Sequence, residues 1–69
     1  MIELEERILG VMGDQWLLTA QVCQLLEVRE LVERRKVARH LKSMVRFGYL
    51  EETTVQFGWK CYYAYRRKG

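Results

Sequence analysis

Four cationic side chains, Arg35, Arg39, Lys42 and Arg46, recur at steps of four, three and four residues. At 3.6 residues per turn, that spacing sets them in one row along a helix. No acidic residue interrupts the row between Arg34 and Gly48. A solvated helix ordinarily interleaves signs, because Glu–Lys pairs one turn apart stabilise it, whereas like charges at that spacing repel. A polyanion lying along the row would offset the repulsion. Arg35, Lys36 and Arg39 stand in the first turns of such a helix, where arginine can bond two acceptors on a guanine edge. Ser43 counts with the same surface, and Lys42 and Arg46, further along, suit phosphate oxygens.

Other residues offer less. His40 is either a phosphate donor or simply an exposed histidine, and its isolation argues against a catalytic pair or triad. Thr19 has the composition and position of a helix N-cap, and the N–H groups beside it, with Gln21 facing out, could also meet a phosphate. Trp59 and Lys60 fall near a turn. Trp59 either presses on a sugar–phosphate backbone or folds back onto a sheet, the sheet being the preferred reading. Cys23 and Cys61 are too far apart for a CxxC motif, and with one histidine they make a zinc site improbable. Two reduced thiols, Cys23 buried on a helix and Cys61 on a strand, are expected, and with them the cytoplasm. There is no phosphate loop, metal cluster or nucleophile–base pair at a readable spacing. No enzymatic activity, cofactor or small-molecule ligand is expected.

The elements that would hold these residues can be taken in order. Ile2 to Met12 reads as a first helix with Leu4, Ile8, Val11 and Met12 on its apolar side and Glu3, Glu5 and Glu6 near its positive end. Gly13-Asp14 ends it. Gln15 to Leu18 reads as a brief extended segment, an edge strand near 16–18. A second helix runs from Ala20 to about Glu27, with Val22, Cys23, Leu25 and Leu26 inward. Val28 to Glu33 fits a long turn, a continuation of the second helix or an extra turn of the third, with Leu31 anchoring it to the core. The third helix is expected to start near Glu33 or Arg34, with Val37, Ala38, Leu41, Met44 and Val45 inward. Phe47-Gly48 stops it, since Gly48 suits the left-handed conformation of a helix end. Tyr49 to Gln56 and Lys60 to Arg66 alternate with period two and make a hairpin around Phe57-Gly58-Trp59. Tyr62, Tyr63 and Tyr65 alternate across it, so at least one is core and another surface. Residues 66–69 read as a frayed basic tail.

At 69 residues and 49% hydrophobic, the chain is one small domain with a real core, near the lower size limit for folding without staples. Its charge is unevenly spread: residues 1–27 carry five acids and one base, residues 28–50 seven bases and two acids, and residues 51–69 four bases and two acids. A basic middle and end are what one nucleic-acid-facing surface requires. The longest apolar runs are too short to span a bilayer, and no signal peptide is evident.

The segments LLTAQVCQLL at 17–26, KVARHLKSMVRFGYLEE at 36–52 and CYYAYR at 61–66 together resemble the winged helix-turn-helix superfamily. The middle block is similar to the third helix of ArsR- and MarR-type regulators, where a Val-x-Arg-His-Leu-x-x-Leu core leads to a glycine, two hydrophobic residues and an acid. Val37, Arg39, His40, Leu41, Met44, Gly48, Leu50 and Glu51 match that pattern. The resemblance implies an α+β winged helix-turn-helix fold, with three helices, a two-stranded β-hairpin wing and a short extra strand. It also implies sequence-specific binding of double-stranded DNA by a small transcriptional regulator, the third helix reading the major groove and the wing meeting flanking backbone. The chain departs from the pattern by about one extra helical turn, Arg-Glu-Leu-Val-Glu-Arg, between Val28 and Val37. It lacks the family's metal-sensing cysteine clusters and long dimerisation helices, and its state stays open between monomer and homodimer. A protein-interaction module without DNA binding is the alternative, since winged helices are reused that way. Single-stranded or RNA binding through the tyrosines is a third reading.

Overall fold

The computed structural model describes residues 3–69, so Ile2, expected at the start of the first helix, lies outside them. The order is α1 (Leu4–Val11), β1 (Leu17–Leu18), α2 (Thr19–Leu25), α3 (Leu31–Arg46), β2 (Leu50–Phe57) and β3 (Lys60–Arg67). The strands form one antiparallel sheet in the order β1-β3-β2, with the expected extended segment on its edge. The chain is therefore a small α+β domain of three helices and a three-stranded sheet.

One core holds it together. Ile8 and Met12 from the α1 region, Val22, Cys23 and Leu26 from α2 and its cap, and Val37, Leu41 and Met44 from α3 cluster with Leu50 and Tyr65 of the sheet. Strand alternation puts Leu17, Leu50 and Tyr65 on the sheet face that meets the helices. Leu18, Glu51, Ala64 and Arg66 fall on the other face. Cys23 is buried, Cys61 is exposed, and both are free thiols. No helix among the described residues is long and apolar enough to cross a membrane.

Two helix ends are closed in the same way. After α3, the Tyr49 N–H donates to Met44 O at 2.9 Å and the Gly48 N–H to Val45 O at 3.1 Å. With Gly48 at φ +87°, this is a Schellman motif at the expected stop. After α2, the Val28 N–H donates to Cys23 O at 2.9 Å and the Glu27 N–H to Gln24 O at 3.1 Å. Here the left-handed position falls to Glu27, at φ 59°. The second helix thus ends before Glu27, and residues 28–30 form a short link.

Several sequence expectations are corrected. Helix α3 begins at Leu31 rather than at Glu33 or Arg34, so the ambiguous segment supplies its first turn. Leu31 does not anchor anything: it is 62% exposed, and Leu25, expected inward, is 53% exposed. Both lie beyond the reach of a core that a domain this small can build. Thr19 is the first residue of α2, not its cap; Leu18 holds the N-cap position, and the Leu18 N–H donates to Gln21 Oε1 at 2.8 Å. The hairpin turn is tighter than expected, because Phe57 pairs with Lys60 and only Gly58 and Trp59 lie between. Gly58 at φ +62° takes the first central position, as a type II′ turn requires. Finally, the tail is tied down: β3 runs to Arg67, whose N–H donates to Gly13 O at 2.8 Å.

The left-handed Glu27 leads to a stability prediction. An L side chain there is disfavoured by about 1–2 kcal/mol, and glycine gives back part of that through its freer unfolded chain. Glu27→Gly should therefore raise stability by about 0.5–1 kcal/mol. Urea denaturation checks it, an unchanged or lowered midpoint being the contrary result.

Candidate nucleic-acid interface

The rotation of α3 about its axis decides what it shows to solvent. Val37, Leu41 and Met44 are buried, so the opposite side carries Arg35, Arg39, Lys42 and Arg46, all exposed. Among the described residues Arg35, Arg39 and Arg46 make no ion pair within the chain.

The other bases are handled differently. Lys42 Nζ lies 2.7 Å from Glu52 Oε2 and 3.4 Å from the centroid of the Tyr63 ring. Its charge is paired and its ammonium held over an aromatic face, which attracts cations electrostatically. Lys36 Nζ sits 3.5 Å from Glu33 one turn earlier, an exposed pair of small energetic weight. His40 turns away from the ridge: its Nδ1 is 2.8 Å from Lys36 O and its Nε2 is 3.3 Å from a Glu5 carboxylate oxygen on α1. It ties α3 to α1 rather than standing free for a phosphate.

Two clefts gather the predicted residues. An open groove of about 450 Å³ is lined by Thr19, Arg35, Arg39 and Lys42, with Tyr63 and Tyr65 as its aromatic floor. A smaller one beside it collects Arg39, Lys42, Ser43 and Arg46. Thr19 therefore does join the arginines, sharing the groove with Tyr65, although it opens α2 rather than capping it. Gln21, whose side chain caps α2, lines neither. Trp59 and Lys60 form a separate feature at the hairpin tip. Trp59 does not fold onto the sheet; it is 87% exposed, with Lys60 Nζ 5.2 Å from its ring centroid.

Glu52 and Tyr63 belong to this surface, with the buried Tyr65 behind them, and none was among the residues expected to meet duplex DNA. Glu52 pairs with Tyr65 across the hairpin, which places both on the helix-facing side of the sheet. The alternation of Tyr63 and Tyr65 carried a signal for that face, but only the packing of α3 on it brings Lys42 to Tyr63. Burial pushes the Tyr65 phenol above its ordinary range, and the neighbouring Glu52 carboxylate pushes it further the same way. No protein-family model, curated protein or solved structure matches the chain.

The Tyr65 shift has a definite consequence with pH. A phenol whose folded value is raised binds its proton more tightly folded than unfolded, so its contribution is fully present below the unfolded value of about 10. That stability is lost as pH rises above 10 toward the higher folded value. Chemical denaturation of the wild type should therefore weaken across this alkaline window, and Tyr65→Phe should show a shallower decline. Parallel declines in the two proteins would rule out Tyr65 as the source.

Proposed function

We propose that the chain is a winged helix-turn-helix domain that binds double-stranded DNA as a small transcriptional regulator, acting in the cytoplasm. The three uncompensated arginines on a core-locked helix are the observation that carries this reading. Their exposed row lacks the intramolecular partners that a purely solvated helix gains from mixed signs. The element order, with a short strand between the first two helices and a hairpin after the third, fits the same reading.

The dimensions support it. A helix with its side chains is about 10–12 Å across, which the roughly 12 Å width of the major groove admits. With the Leu31 end of α3 inserted, Arg35 and Arg39 face base edges while Arg46 reaches the phosphates at the rim. The hairpin tip, with Lys60 beside exposed Trp59, supplies a contact to the flanking backbone. Lys42, paired with Glu52, acts mainly to set the ridge against the sheet.

A second reading, a protein-interaction module, draws on a different surface. The sheet face turned away from the helices carries half-exposed Tyr62 and Phe57, whose rings meet edge to face at 5.7 Å. That face would bind the partner, and the arginine ridge would stay solvated.

Anisotropy titrations against random-sequence duplex at several salt concentrations separate the two. Two phosphate contacts, Arg46 and Lys60, give an expected slope of log affinity against log salt of about −2. Arg39→Ala should weaken binding to a preferred duplex by about 1–3 kcal/mol, with folding unchanged because the residue is exposed. Salt-independent binding, or none, would reject the DNA reading.

A further inference from the structure

We propose that Leu31 and Val32 form an apolar site for the 5-methyl groups of thymine, so that α3 prefers duplexes with thymine close to the guanines met by Arg35 and Arg39. The inference rests on the DNA reading above and names the chemistry that the leading turn of α3 selects.

Both side chains are branched aliphatics in the first turn of α3, 62% and 63% exposed, and neither belongs to the core cluster. Their type is therefore not required by the packing of this domain. At 100° per residue they fall about 50° to either side of the line through Arg35, Arg39, Lys42 and Arg46. The cationic ridge thus ends, at its leading tip, in a pair of hydrocarbon side chains. This is the end of the helix that enters the groove first.

On the floor of the major groove the thymine methyl is the one apolar group that a base edge presents. Leu31 stands one turn before Arg35, about 6 Å along the helix axis, or about two base-pair steps. Thymine is accordingly expected within about two base pairs of the guanine bonded by Arg35. The same chemistry discriminates against RNA, because uracil lacks the methyl and the deep, narrow A-form major groove does not admit side chains.

The test starts with the full chain and a random duplex pool. The bound fraction is sequenced, and the affinity for a selected duplex is compared with that for the same duplex carrying deoxyuridine in place of every thymine. Burying one or two methyl groups predicts roughly four- to fifteen-fold weaker binding of the uridine duplex. In the double variant Leu31→Ser, Val32→Ser, whose fold is checked by circular dichroism, that ratio should fall close to one. Equal binding of the thymine and uridine duplexes by the wild type, or selected duplexes without thymine, overturns this inference while leaving the DNA reading in place. The same holds if the double variant keeps the full discrimination. Absence of any duplex binding removes both.

Discussion

The burial of Val37, Leu41 and Met44 against a core that includes Leu50 and Tyr65 fixes α3 in rotation as well as in position. A helix turns 100° per residue, so a slip of one residue in that packing would carry the arginine row sideways by the same angle. Leu41 alone shows the weight of the constraint. Truncating so buried a leucine to alanine removes about 2–5 kcal/mol, comparable to the roughly 3–5 kcal/mol that a core of this size supplies. The surface chemistry of α3 and the stability of the domain therefore depend on the same few side chains.

Around that seam, charge is sorted by distance from the ridge. The bases beside acids find them: Lys36 meets Glu33, Lys42 meets Glu52, and Arg66 meets Glu51 while lying over the Trp16 ring. His40 reaches Glu5 across the α1–α3 contact. Arg35, Arg39 and Arg46 are among the bases with no such partner among the described residues, and they stand in one line on α3. Repulsion between exposed arginines one turn apart is small, a few tenths of a kcal/mol, which the fold tolerates. On the DNA-binding reading this retained charge is the useful part of the surface.

The two Schellman closures set the angles at which the elements follow one another. Both use the same pair of backbone hydrogen bonds, but one spends a glycine and the other forces Glu27 into the left-handed region. The link after Glu27 is short, and α3 starts early enough to gain a full extra turn. That added turn carries Leu31 and Val32 out onto the surface, ahead of the arginines, so the strained corner and the exposed apolar tip share one origin.

Much of this was legible from residue order alone. The period of the apolar residues in 37–45 determined the inner face of α3 and, by opposition, the arginine row; Gly48 determined its end; the alternation of Tyr62, Tyr63 and Tyr65 determined that at least one would be core and another surface, and Tyr65 is the buried one. Such features are local, since each follows from spacing within one element. Contacts between elements were decided only by the tertiary structure. The pairing of Lys42 with Glu52 and Tyr63, the turning of His40 toward Glu5, the exposure of Leu25, Leu31 and Trp59, and the transfer of the α2 N-cap from Thr19 to Leu18 depend on where separate segments meet. Hydrophobicity states that a side chain favours burial, but with a core this small, three-dimensional packing alone determines which of the candidates obtain it.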